Sequence, residues 1–432
     1  MEQTFFAKLP LLEECQVLVA GAGPAGLCAA VSAAREGCDV LLIEKLGSVG
    51  GALTAGHIRT CMGGVSEGTM RDELGKLLET GGACIPHDTE KAKYRLALWL
   101  KENGVRLLLG VCVCGVTKEA SSVTGVVVAT ADGLMRIDAK EVIDATGDGT
   151  VAVLAGVPFE KGRASDGLMQ PASILYTIAG VESDLVCTHE SDDTLLPDSR
   201  SYLALCKEAH LSGELPKNVD IVRLYGGAAK DERLVNANQL CYVDGTSPAD
   251  IAASDLELRR QIHQVTNFLR NNLPGFEHCR VLQSGEMPGF RETRRLEGRE
   301  KLEASDISSG RKREDVLVHN ALFCFDTHNP DGGGQAEDLE TARAVKPYDI
   351  PFGCFVPKEI RHLLFVGRCI SGSHKAHSSY RVMNICMAMG EAVGLAAALA
   401  VIRKIPSCEM NVSDIQQKLE QRGVCLFDSK VS

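Results

Sequence analysis

The stretch Gln16–Lys45, QVLVAGAGPAGLCAAVSAAREGCDVLLIEK, decides the fold. Gln16 to Ala20 is a short apolar run suited to a buried parallel strand. Gly21, Gly23 and Gly26 follow as a G-x-G-x-x-G turn into an Ala-rich helix from Ala25 to Glu36, which stops at Gly37. Val40 to Ile43 reads as a second buried strand and ends in Glu44. The unit is βαβ, and its chemistry follows from geometry. Glycines let the backbone approach a pyrophosphate, the helix N-terminus offers it unpaired N–H groups, and an acid closing the next strand holds ribose hydroxyls. Glu44 stands 18 residues beyond Gly26, close to the expected spacing of about 20. An ordinary tight turn would account for the glycines alone; strand, helix and acid together point to a bound dinucleotide.

Working outward, 432 residues with 45% apolar composition support a large core and two domains. The net charge is −11, and no basic cluster is longer than Arg291–Arg299 or Arg311–Arg313, which argues against a nucleic-acid partner. The N-terminus carries Glu2, Glu13 and Glu14 without a charged region followed by an apolar one, so no signal peptide is expected, and the longest apolar run, Val393–Ile402, is expected to be too short to cross a bilayer. The expectation is a soluble, cytoplasmic protein with no membrane span. Seventeen cysteines raise the question of disulfides, metal or clusters, yet there is no C-x-x-C, and the close pair Cys112 and Cys114 lies in an alternating strand. Most are expected to be small buried hydrophobes in a reducing compartment, with no metal site.

Ahead of the first strand, Met1–Glu14 is an arm without periodicity, and beyond Glu44 a loop rich in glycine (Gly50, Gly51, Gly56, Gly63, Gly64) passes close to its neighbours. A helix at Tyr94–Asn103 and a strand at Arg106–Leu109 lead to three short β-branched runs, Val111–Thr117, Gly125–Ala129 and Leu134–Ile137, whose turn signals suggest an antiparallel meander. Glu141–Gly149, EVIDATGDG, is a further strand returning to the first sheet. The next part changes character: strand-like segments at Ala172–Ile178, Glu232–Tyr242, Val281–Ser284 and Val316–Phe325 alternate with helices at Tyr202–Leu211 and Pro248–Asn272, as in an inserted α+β domain. On a strand Asn236 and Asn238 would share one face, lining a polar substrate pocket or facing solvent. Arg291 and Arg294 would share a face on a helix and clamp an anion, or point apart on a strand. Near the C-terminus, a strand at Leu363–Val366, a turn at Gly367-Arg368 and a helix at Asn384–Ala400 close the nucleotide domain.

The segments GAGPAG, the strand ending at Glu44, the meander and A-T-G-D-G together resemble the FAD-binding half of the glutathione-reductase superfamily of flavoproteins. G-L-M-Q-P at Gly167–Pro171, R-E-T-R-R at Arg291–Arg295, Y-D-I-P at Tyr348–Pro351 and G-R-C-I-S with the following H-x-x-H and R-V-M, through Met383, resemble the FAD-dependent oxidoreductase family, a distant relation of the fumarate reductase and succinate dehydrogenase flavoproteins. The resemblance covers nearly the whole chain. It implies a Rossmann-like α/β FAD-binding domain with a β-meander crossover, in two parts (1–165 and 341–432), interrupted by an α+β substrate domain at 166–340. It implies FAD contacts from Gly21, Gly23, Pro24, Ala25 and Gly26, from Glu44, Lys45 and Gly51, and from Cys112 and Val113. Thr146, Gly147 and Asp148 join them, with Gly367, Arg368, Arg381, Val382 and Met383 from the C-terminal part, where relatives bring a helix N-terminus to the flavin ring. His374 keeps the spacing of the fumarate reductase histidine, but Ser378 stands where that pattern has Arg, which counts against fumarate reduction.

The expected activity is hydride transfer between a small polar organic substrate and flavin N5, with His374, His57 and His377 as candidate acids or bases in loops at the ring. Arg59 and Arg368 would orient the substrate or bind FAD phosphates, and Asn236, Asn238, Arg291 and Arg294 are the candidate substrate residues. A disulfide reductase needs C-x-x-C, an aromatic hydroxylase usually carries G-D in the C-terminal turn, and no second dinucleotide motif serves NAD(P)H. Electrons would pass to or from oxygen, a quinone or a redox partner protein; the oligomeric state is open. The alternative is an electron-transfer subunit with no small-molecule substrate of its own.

Overall fold

A computed structural model describes residues 6, 8–79, 87–188, 194–332, 338 and 340–427; of the N-terminal arm, residues 1–5 and 7 lie outside the described residues. The chain lays down strands β1 (Leu11–Ala20), β2 (Val40–Glu44), β3 (Arg106–Leu109), β4 (Cys112–Glu119), β5 (Ser122–Thr130) and β6 (Gly133–Asp144), which pair in the order β3-β2-β1-β6-β5-β4. The pairs β3-β2, β2-β1 and β1-β6 are parallel, whereas β6-β5 and β5-β4 are antiparallel, so the meander is the crossover appended to a Rossmann-like sheet. Val17 to Ala20 have parallel neighbours on both edges and helices packed against the strand, and they are fully buried. Such burial on both faces is why the segment reads as an apolar run rather than an alternation.

One expectation merges two elements. The third meander run and the returning strand, read as Leu134–Ile137 and Glu141–Gly149, are a single 12-residue strand, β6. Its first half pairs with β5, and Val142 to Asp144 pair in parallel with the Leu363–Phe365 strand on that same edge. Asp138 and Lys140, polar enough to suggest a break, lie on the more exposed middle of a continuous strand. β1 likewise starts within the presumed arm.

The first helix (Pro24–Ala34) packs, with little between the two, on the long C-terminal helix (Met383–Arg403), which is followed by a short helix, Val412–Gln421. A Cβ at Gly390 would meet Ala25 O at 2.1 Å and one at Gly394 would meet Ala29 O at 2.2 Å, so glycine sets this approach. The C-terminal helix has the length and apolar composition to cross a membrane, with mean hydropathy 2.1, but 89% of that window is buried and it serves as a core helix.

A second hydrophobic cluster is built on a four-stranded antiparallel sheet in the order Arg223–Gly226, Arg233–Asn236, Tyr176–Ala179, Arg280–Ser284. The Tyr202–Ser212 and Pro248–Asn272 helices supply Tyr202, Leu258, Ile262, Phe268 and Leu269 to that cluster, and Ser247 caps the longer helix by accepting from Asp250 N. Its buried members run from Ala172 to Cys279; Leu296, Leu302, Val318 and Tyr348 belong to the first cluster. Short pairs carry the chain between them: Ala172–Ser173 with Gly289–Phe290, and Phe159–Lys161 with Arg294–Leu296. Among the described residues no cysteine forms a disulfide, most cysteines are buried, and no group of His, Cys, Asp and Glu could hold a metal.

Candidate functional site

The glycines of the first turn do three different jobs. Gly21 has φ +103° and a Cβ there would lie 2.5 Å from Ala145 O, so the turn is pressed against the end of β6. A Cβ at Gly26 would come within 1.8 Å of Gly21 O, which makes Gly26 a packing requirement. Around Gly23, by contrast, there is nothing within 4 Å of the Cβ position. Gly23 is the N-cap of the first helix and no side chain caps it, with Pro24 opening the helix and Ala25 buried behind. Gly51 closes the cradle from the other side, since its Cβ would sit 2.9 Å from Gly23 Cα. An uncapped helix N-terminus beside side-chain-free space is the arrangement that receives a phosphate.

Glu44 is buried and its carboxylate braces the turn, Oε2 accepting from Ala22 N at 2.7 Å and Oε1 from Leu46 N at 3.0 Å. Lys45 is exposed. Glu44 O accepts from Val111 N, which brings the start of β4, with Cys112 exposed and Val113 half-buried, alongside. From β6, Asp144 holds Thr146 through Oδ1 and places Gly147 and Asp148 in the next turn. Asp148 Oδ1 accepts from Arg368 Nη2 at 2.5 Å and from Thr293 Oγ1 at 2.8 Å. Burial alone would raise the Asp148 carboxyl, but Arg368, Thr293 and Lys45 outweigh it and hold it below the usual carboxylate range. A Cβ at Gly367, where φ is +92°, would lie 3.3 Å from Ala25 Cβ, so the C-terminal turn meets the first helix. The residues of the glycine turn, the acid of β2 and the two later turns thus converge, and they fit a dinucleotide such as FAD.

His374 and His377, expected in a loop, lie on a seven-residue helix, His374–Tyr380. The run of Ser, His and Lys carries no helix-breaking residue, and glycine stops at Gly372. His374 Nδ1 lies 2.9 Å from the Glu292 carboxylate, whose side chain is fully buried between His374 and Arg295. Glu292 also accepts from Gln170 N, and Arg295 is anchored on Gly162 O and Gly372 O. His377 is fully buried, 3.5 Å from Gln170 Nε2, and burial followed by the charge of Arg381 keeps it well below its ordinary value. Arg381, beyond the helix, donates to Asp326 at 2.8 Å, and Val382 caps the C-terminal helix without a side-chain bond before Met383 opens it.

Other expectations are overturned. His57 does lie in a loop, but a closed one: it is 1% exposed, with Nε2 at 2.8 Å from Thr177 Oγ1 and Nδ1 at 3.4 Å from Thr89 Oγ1. Burial and the charge of Arg59 push it down to about 4, so it is a neutral strut between the first loop and the second sheet. Arg59 is equally enclosed, donating to His87 O and Thr177 Oγ1. The strand carrying Asn236 ends there, so the alternation argument does not reach Asn238, which is buried and accepts from Ile174 N; Asn236 is half-buried. Arg291 and Arg294 share neither a helix nor a partner. Arg291 donates to Pro171 O, while Arg294 donates to Asp148 O and lies over the Phe159 ring.

Residue roles that the sequence reading missed are those of Gln170, Glu292 and Asp326. Gln170 and Glu292 stood inside the quoted stretches G-L-M-Q-P and R-E-T-R-R, and Asp326 just past the Val316–Phe325 segment, but only a partner distant in sequence reveals what each holds.

The sheet, its meander crossover and the phosphate cradle define a flavoprotein-type nucleotide fold. The chain belongs to the FAD dependent oxidoreductase family, which matches residues 16–419. It is therefore an FAD-dependent oxidoreductase. Over 153 residues it is 29% identical to the thiamine thiazole synthase of Pyrococcus horikoshii, covering 32% of this chain and 58% of that relative, so it spans under two thirds of that protein's length. Among solved structures, a geranylgeranyl bacteriochlorophyll reductase-like protein from Thermoplasma acidophilum aligns with TM-score 0.48 at 14% identity, covering 95% of this chain and 84% of that one. The anhydrotetracycline hydroxylase of Streptomyces rimosus aligns with TM-score 0.47 at 12% identity, covering 94% and 65%. No substrate follows from these likenesses.

Proposed function

We propose that this FAD-dependent oxidoreductase moves a hydride between a small polar organic substrate and the flavin, and exchanges electrons with oxygen, a quinone or a partner protein in the cytoplasm. The division into a two-part FAD domain and a substrate domain at 166–340 belongs to the same reading. The chemistry FAD supplies when bound is hydride exchange at N5. The protein supplies the rest. The helix N-terminus at Gly23 takes the pyrophosphate, Glu44 the ribose, and the Asp148–Arg368–Thr293 group orders the turn beside them.

The observation that carries the reading is the contact of His374 Nδ1 with the buried Glu292 carboxylate at 2.9 Å. A carboxylate on Nδ1 fixes the ring and its tautomer, with Nδ1 protonated, which leaves Nε2 as the nitrogen that takes or returns a proton. Of the three candidate histidines, His57 is held by threonines on both nitrogens and His377 is enclosed, so His374 is the best supported. A positioned histidine contributes about 10²- to 10⁴-fold to such a step. Anaerobic screening of sugars, polyols, hydroxy acids and amines for flavin bleaching finds the substrate. With it in hand, His374→Ala is expected to slow flavin reduction in stopped flow by at least about tenfold with FAD retained. An unchanged rate at full occupancy removes His374 from the chemistry, and bleaching by a redox protein alone favours the electron-carrier alternative.

A further inference from the structure

Arg291 lies beside the Arg381–Asp326–His328 group, because its partner Pro171 follows Gln170, whose Oε1 accepts from His328 N at 3.3 Å. Arg381 pairs with Asp326 at 2.8 Å. Arg291 Nη1 donates to Pro171 O at 2.7 Å, and among the described residues its guanidinium forms no ion pair. Burial and then the charge of Arg381 push Arg291 down to about 10, so it remains a cation at neutral pH. His328 adds no charge there: its Nε2 is 3.4 Å from Asp326 Oδ1, and burial with Arg291 pushes it down to about 4. Two cations thus share one anion. The same place is short of partners atom by atom, because Arg381 Nε and His328 Nδ1 are buried and unbonded among the described residues. Yet it is not sealed, for the Asp326 side chain keeps 39% of its surface. Arg291 is half-buried with no carboxylate partner of its own among the described residues, and cations taken out of water are normally paired, so the place suits an anion.

The location separates this cluster from the phosphate cradle. Arg291 leaves the Gly289–Phe290 strand, whose partner Ala172 belongs to the second hydrophobic cluster, and Arg381 immediately precedes the C-terminal helix. Arg368 and Arg294, not these two, attend the Asp148 turn beside Gly23. We propose that Arg291 and Arg381 seat the carboxylate of the substrate, Arg291 as principal partner and Arg381 as the second, held in place by Asp326. The guanidinium fork matches a planar carboxylate, and His328 Nδ1, an acceptor when Nε2 carries the proton, suits a hydroxyl or amine beside it. The inference rests on the reading of the chain as acting on a bound small molecule.

The test titrates the FAD-loaded protein with lactate and oxalate and with the neutral amides lactamide and oxamide, following heat and the flavin absorption band. The acids are expected to bind and the amides to bind at least about tenfold more weakly. Arg291→Gln should weaken acid binding by at least about tenfold with FAD content unchanged. Arg291→Lys, which keeps the charge but loses the fork, should give a smaller loss and serves if the Gln variant does not fold. Acids and amides binding alike, or no acid binding at all, overturns the proposal. So does loss of FAD in Arg291→Gln, which would make the missing anion a cofactor phosphate. A flavin bleached by a neutral substrate alone sinks this inference but leaves the hydride-transfer reading standing; no bleaching by any small molecule sinks that reading itself.

Discussion

The turn around Gly23 and the cluster around Glu292 solve opposite problems. The turn works because side chains are missing: Gly23 opens onto empty space while Gly21 and Gly26 let backbone press on backbone. The cluster works because side chains are present, with Glu292 set between Arg295 and His374 out of water. The turn is assembled largely from neighbours in sequence, whereas His374 reaches Glu292 across 82 positions and Arg295 reaches Gly162 across 133. The contrast teaches that binding and stability are separable here: opening in one region, charge balance in the other.

The largest expected effect lies in the charged region. Glu292→Ala leaves the Arg295 guanidinium, whose side chain is 3% exposed, with only the exposed Glu160 carboxylate at 3.5 Å as counter-charge, and releases His374. Breaking a buried pair in this way costs about 3–5 kcal/mol; urea unfolding measures it, and a loss below about 1 kcal/mol would mean that the pair is not sequestered. Next comes Gly26→Ala. The atom its Cβ would strike is a backbone carbonyl, which cannot swing aside, so about 1–3 kcal/mol of stability is expected to go. Gly23→Ala should behave in the opposite way, with flavin-free protein melting as before while FAD occupancy falls, because the added methyl enters only the cradle. Equal melting losses in the two alanine variants would erase the distinction between packing glycine and binding glycine.

The smallest effect concerns pH. The folded His57 titrates at about 4 against 6.5 for the free side chain. As pH falls, the unfolded chain therefore takes up the proton first. The stability that neutral His57 contributes is fully present above pH 6.5 and is lost as pH falls from there to about 4. His57→Gln should flatten the slope of unfolding free energy against pH in that window, and an unaltered slope would show that His57 is not the group responsible.

The fold was legible where order along the chain decides it. The βαβ unit, the meander and the helix at Pro248–Asn272 were read from periodicity and turn residues, and the structure has them. The merger of two strands into β6 was missed because local polarity at Asp138 and Lys140 resembles a break, while pairing on both edges keeps the strand whole. The site was half legible. The glycine turn and Glu44 announce themselves through spacing, but nothing near His57 in sequence says that Thr89 and Thr177 will enclose it. Arg291 and Arg294 invited a helix-or-strand choice, and neither alternative foresaw partners at Pro171 and Asp148.

By itself, the sequence determined the nucleotide-binding framework, because a glycine turn, a helix and an acid act through short-range backbone geometry. Tertiary structure alone decided which histidine is held by a carboxylate, which is locked between threonines, and which arginine lacks a counter-charge. Burial and charge pairing depend on groups brought together across the chain, and their energies are set by the water that the assembled fold excludes.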